Sequence, residues 1–140
     1  MTAAEIQNAI ANNNRQIVQN QNYIRQAQRQ IEQLSDLSDA LTRRRNDFAE
    51  EQDDIKNKLM RNSGFGARIK AFNSYYNGMI SLVTGNEANS VYDGLYTAKS
   101  KVESKIDELE EAIRKCNNNI RVLNQRNSQL RAALANMSNS

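Results

Sequence analysis

Apolar side chains recur at alternating steps of three and four along most of this chain, and no proline interrupts them. That spacing keeps one stripe on one side of a helix, and a stripe sustained for many turns has to face another helix rather than a compact core. Taking Ile10, Ile17, Ile24 and Ile31 as heptad positions a puts Ile6, Ala27, Leu34, Leu41, Phe48 and Ile55 at d. The frame runs to Leu59, with Ser38, Arg45 and Gln52 as polar a positions and Asn13 and Asn20 as polar d positions. A second stripe places Ile106, Ile113, Ile120 and Leu134 at a, and Leu95, Val102, Leu109, Cys116, Leu123, Leu130 and Met137 at d. Two such segments in one chain of 140 residues predict an all-α fold: a long antiparallel coiled-coil helical hairpin with a kink or short helix in its middle.

The heptad frame breaks in the middle. Asn62-Ser63-Gly64-Phe65-Gly66 and Gly85-Asn86 supply residues that tolerate positive φ, so turns are expected at both. Between them Ile69, Phe72, Tyr76, Met79 and Val83 keep a helical spacing. The expected organisation is a single hairpin: a helix over 5–61, a turn at 62–66, a short or continuing helix over 67–84, a hinge at 85–90 and a long helix over 90–137. Ser90, with Asp93 three residues on, reads as the N-terminal cap of that last helix. The runs of Asn and Gln, such as Asn117-Asn118-Asn119, are solvated outer faces, because the Ile repeat passes straight through them.

Composition limits the chemistry. There is no His, no Trp and one Cys, which removes the common metal ligand, the neutral-pH acid/base and any intrachain disulfide. Neither catalytic residues, a metal site nor a cofactor is expected. Cys116 sits at a d position between Ile113 and Ile120, where a thiol acts as a small hydrophobe. The acidic group Asp107, Glu108, Glu110 and Glu111 reads as helix flank, with no turn to fold the carboxylates around a cation. The net charge of +3 is interspersed, and Arg43-Arg44-Arg45 is followed at once by Asp47, Glu50 and Glu51, so no positive stripe exists to track phosphates and no nucleic-acid partner is expected. Without a basic and apolar leader, or an apolar run near the length of about 20 residues that crosses a bilayer, the expectation is a soluble cytoplasmic chain with no membrane insertion.

What remains is protein association. The stripe is wider than a two-helix seam needs, because g positions carry Ala9, Tyr23 and Leu37 on the first helix and Val91, Ala98, Ala112 and Ala133 on the last. Three- or four-helix packing would cover them, through self-association or a helical partner. Phe65, Phe72, Tyr75, Tyr76 and Met79 gather beside Gly64 and Gly66, and either pack the tip or dock a partner. Gly78 and Gly85, seven apart, would let another backbone approach closely. In an antiparallel pair the numbers of facing residues share a constant sum. A sum of 133, setting Ile24 against Leu109, is preferred here over 147, which sets Ile24 against Leu123 and Asn20 against Asn127.

A long amphipathic helix, a Gly64-Phe65-Gly66 turn, Gly66-Ala67 with Phe72 six residues past the glycine, and a longer heptad helix together resemble the YwqH-like family. These are small helical accessory proteins of LXG toxins in Gram-positive type VII secretion, distantly related to the ESAT/WXG hairpins. Gly64 stands where that family has Trp. The resemblance implies an adaptor or targeting chaperone that binds the helical LXG domain of a toxin, together with a second small helical accessory protein, for export. It also implies co-export with the toxin as a further fate for a cytoplasmic protein. No aromatic residue here is followed four positions later by Asp or Glu, the export signal of such substrates, so the address is expected on a partner. Two other classes compete: a general coiled-coil chaperone resembling prefoldin, which needs β-hairpins within 61–89, and a self-assembling structural coiled coil.

Overall fold

The computed structural model describes residues 1–61 and 70–139, apart from the side chains at 70–73, 76 and 83. Three helices account for nearly all of them: α1 (Ala3–Arg61), α2 (Lys70–Thr84) and α3 (Asn86–Ser138). No strand occurs among the described residues, and the long helices pack against each other as an all-α helical hairpin. The turn expected at 62–66 lies outside the described residues. Because 70–84 is helical, most of the segment that a prefoldin-like pair of hairpins would need is already committed to helix.

Helix α1 opens with a reciprocal cap. The Glu5 amide donates to Thr2 Oγ1 at 3.2 Å, and the Thr2 amide donates to Glu5 Oε2 at 2.9 Å, which satisfies two donors that the first turn leaves without partners. At its other end Lys58 and Arg61 lie in the last turn, where cations favour the negative end of the helix dipole.

The junction of α2 and α3 differs from the expected hinge over 85–90. It is one residue, Gly85, and α3 begins at Asn86, which puts Ser90 inside the helix rather than at its cap. The reason is local: the Gly85 carbonyl already accepts the Asn89 amide at 3.2 Å, so the ladder resumes without a gap. Glu87 in the first turn complements the dipole in place of Asp93. Gly85 is not there for positive φ, since no described residue has one. It is there because a Cβ at this position would run into the Ser81 carbonyl oxygen.

By contact density the chain divides into two compact units, Met1–Gln33 with Lys105–Ser140 and Leu34–Ser104. In the first, an amide network fixes how α1 and α3 pair. Asn127 is 1% exposed; its Oδ1 accepts from Asn13 Nδ2 at 2.9 Å and its Nδ2 donates to Asn14 Oδ1 at 2.9 Å. Asn13 facing Asn127 gives a residue-number sum of 140, which overturns both 133 and 147. Sums that differ by seven fit the same two heptad frames, so periodicity alone could not choose among them. A buried Asn needs a partner for both ends of its amide: the register of 133 would set Asn127 against Ile6, whereas at 140 Asn13 and Asn14 take both ends. Asn20, set against Asn127 in the register of 147, instead donates Nδ2 to the Gln16 carbonyl of its own helix at 2.8 Å. The register of 140 places Ile17 opposite Leu123, Ala27 opposite Ile113 and Ile31 opposite Leu109. Ile6, Ile17, Ala27, Leu109 and Leu123 are buried, while Ile10, Ile24, Ile31, Ile106, Ile113 and Ile120 are half-buried.

The second unit carries the polar a positions of α1. Ser38 is buried, and its carbonyl accepts the Thr42 hydroxyl at 3.1 Å. Arg45 and Gln52 are half-buried.

Candidate interaction surface

The surface follows from what the heptads leave uncovered. In the first unit the two flanks of the seam differ in kind. One is formed by e positions, Asn14, Gln21 and Gln28 on α1 with Glu110, Asn117, Asn124 and Arg131 on α3, and is polar throughout. The other, formed by g positions, includes Ala9 and Tyr23 on α1 with Ala112 and Ala133 on α3. On that second flank an open hollow of about 440 Å³ is lined by Gln19, Asn20, Tyr23, Ala112, Lys115 and Cys116. A further hollow of about 310 Å³ is lined by Gln16, Asn20, Asn119, Val122, Leu123 and Arg126. Asn20 borders both, so the two hollows lie next to each other as one grooved stretch of the flank. Small side chains at Ala112 and Cys116 opposite the Tyr23 ring leave the space.

The second unit has a different feature. Arg45 projects from an a position, and its guanidinium carbon lies 4.0 Å from the centre of the Tyr92 ring and 5.1 Å from that of Tyr96. A cation between two aromatic faces is held by their quadrupoles. Its Nε is buried without a hydrogen-bond partner, as is Gln52 Oε1 one heptad on, so this stretch of seam is less well satisfied than the Asn13–Asn127 layer. Nothing in the sequence reading had joined Arg45 to these tyrosines. The signal was the i, i+4 spacing of Tyr92 and Tyr96 opposite an Arg in the apolar frame.

The residues expected at a partner surface are distributed as follows. Tyr23 forms a groove wall in the first unit and is 43% exposed, and Leu37 is 46% exposed in the second. Tyr75 is exposed and Met79 half-buried on α2. Gly78 and Gly85 line one hollow with Ser81, Leu82, Asn86 and Glu87. An added Cβ at Gly78 would meet nothing within 4 Å, so the chain's own packing does not require glycine there. Gly64, Phe65 and Gly66 lie outside the described residues; Phe72 and Tyr76 have their backbones in α2, but their side chains are outside the description. Among the g positions, Val91 is exposed and Ala98 half-buried. Cys116 is a free, half-buried thiol.

Electrostatics on α3 is local. The Glu111 carboxylate accepts from Arg114 Nε at 2.9 Å and lies 2.7 Å from its Nη2, and that hydrogen-bonded guanidinium holds the carboxyl below its ordinary pKa. No group of His, Cys, Asp and Glu among the described residues is arranged to hold a metal ion. No described helix is long and apolar enough to cross a membrane. No protein-family model, curated protein or solved structure matches the chain.

Proposed function

We propose that this chain is a non-enzymatic adaptor or targeting chaperone that completes a helical bundle with a partner protein. The observation that carries the reading is the incomplete burial of the seam. In the first unit six isoleucines at core positions are only half-buried and Tyr23 adds exposed apolar surface at a g position, and in the second unit Leu37 and Val91 are exposed at g positions. Water-exposed aliphatic area at core positions is removed by adding a helix, as in three- and four-helix bundles.

The partner is the helical LXG domain of a type VII secretion toxin, joined by a second small helical accessory protein. That part of the reading rests on the resemblance carried by Gly66-Ala67, Phe72 and the two-helix heptad plan. The complex assembles in the cytoplasm, and the partner supplies the export signal that this chain's aromatics lack.

Co-expression of the chain with the LXG domain and small helical protein encoded beside it tests this. The expected result is one heteromer of fixed mass by size-exclusion chromatography with light scattering. Elution of the chain at the same mass with and without those proteins would reject the adaptor assignment.

A further inference from the structure

The groove on the g flank has a charge pattern as well as a shape. Its lining includes two cations, Lys115 and Arg126, and no carboxylate. Neither side chain belongs to an ion pair among the described residues. The nearest acid on α3 is Glu111, one turn from Lys115, and its carboxylate is engaged by Arg114, with Lys115 making only the smallest contribution to its lowered pKa. Beside Lys115 the surface is apolar and small, Ala112 and Cys116, walled by the exposed Tyr23 ring. Toward Arg126 it continues with Asn119, Val122 and Leu123, with Gln16, Gln19 and Asn20 along the α1 side. The lining on α3 extends from Ala112 to Arg126, about 21 Å at 1.5 Å per residue, or roughly four helical turns.

We infer that this groove receives one amphipathic helix of a partner protein, a helix with a narrow apolar stripe flanked by Asp or Glu. The stripe covers Tyr23, Ala112 and Cys116, and the acidic flank that lies along α3 meets Lys115 and Arg126. Charges at the rim of a helical interface act on partner choice more than on gross affinity. The polar e flank, with Asn14, Gln21 and Gln28, has no corresponding stripe and stays in water.

A second copy of this chain is a poor occupant. Packing two copies symmetrically through this flank sets Lys115 and Arg126 of each against the same basic rim of the other. Packing the e flank of one into the groove of the other offers polar side chains to Tyr23, Ala112 and Cys116 and leaves that apolar part uncovered by any apolar group. The inference deepens the adaptor reading by naming the kind of helix received, and it rests on that reading only for the occupant being a protein.

The test uses the full chain and two designed peptides of about four heptads, long enough to form helix, identical in a Leu seam and carrying either Glu or Lys at both flanking positions. Labelled-peptide anisotropy is expected to show the Glu-flanked peptide binding about tenfold or more tightly than the Lys-flanked one at low salt, with the difference shrinking as salt is raised. Because Cys116 is the chain's single cysteine, its alkylation by a maleimide should slow on saturation with the Glu-flanked peptide. K115E/R126E exchanges two exposed side chains, so its circular dichroism should match that of the parent, and its peptide preference should invert. Equal binding of the two peptides, a preference for Glu that survives in K115E/R126E, or Cys116 alkylation unchanged at saturation would each overturn the assignment. So would a homodimer that protects Cys116 with no peptide present. A toxin domain that co-purifies equally with the parent and with K115E/R126E would leave the adaptor reading standing and remove the groove. Selective peptide binding in a chain that ignores the toxin domain would do the reverse.

Discussion

Asn127 shows how a single side chain outweighs a repeat. It occupies an a position that an isoleucine would fill with more hydrophobic gain, yet it is the most buried large polar group described, and both ends of its amide are paired. Asn127→Ala removes two hydrogen bonds and leaves the amides of Asn13 and Asn14 half-satisfied in a partly buried layer. The expected loss is about 1–3 kcal/mol of unfolding free energy, measured in urea. Asn13→Leu with Asn127→Leu should instead raise the midpoint while weakening the choice of register, since apolar layers accept a seven-residue slip, whereas a slip to 133 would set Asn127 against Ile6. Ile24→Cys reads the register directly: at a sum of 140 the new thiol faces Cys116, and oxidation should close a bridge within one chain. The Asn13→Leu/Asn127→Leu pair should lower that yield. At the same scale, Glu111 should titrate below an ordinary carboxylate, and Arg114→Gln should return it toward the ordinary range, followed by carboxyl NMR. The sign follows from the depressed folded value: the contribution of this pair to α3 is present above the unfolded pKa and is lost as pH falls through the folded one.

At the scale of elements, two glycines with the same spacing signal separate into opposite roles. Gly78 lies inside α2 with open space where a Cβ would go, so Gly78→Ala should raise helix stability by about 0.5–1 kcal/mol in the free chain. At Gly85 the same change drives a methyl into the Ser81 carbonyl oxygen, so Gly85→Ala should lower the thermal midpoint and shift the α2–α3 junction. Thermal unfolding of the two variants side by side checks both signs. Sequence alone made the helices legible because Ile and Leu spacing is a long, redundant signal that no Pro interrupts. The groove was legible only as a list of g positions, among them Tyr23 and Ala112. Which of them face one another depends on register, and register depends on where Asn127 finds its partners, a pairing more than a hundred residues apart. The Thr2/Glu5 cap has the spacing of a capping box, but the apolar repeat starts the helix at residue 5 and misses it. The junction at Gly85 was not, because the positive-φ reading of glycine is a prior about turns, whereas the requirement here is steric and set by the carbonyl four residues earlier.

For the whole molecule, the balance between self-pairing and partner-pairing is set by how much seam the hairpin can cover by itself. Its two compact units each pair helices, but Ile24 and Ile113 are only half-buried in the first while Arg45 and Gln52 hold buried, unpaired polar atoms in the second. Both conditions leave free energy to be gained from an added helix: one by covering apolar area, the other by offering polar partners or excluding water from a better-formed layer. Anything that binds only the folded chain stabilises it by mass action, by about 2.7 kcal/mol at a hundredfold excess over Kd. The expected outcome is a modest thermal midpoint for the free chain that rises with the concentration of its partner helix and hardly responds to its own concentration, because like charges on the groove rim oppose a homodimer. Scans across a hundredfold range of chain concentration, with and without partner, separate the two dependences. A midpoint that climbs with the chain's own concentration would mean that the exposed isoleucines find each other, and would move the protein from adaptor to self-assembling coiled coil.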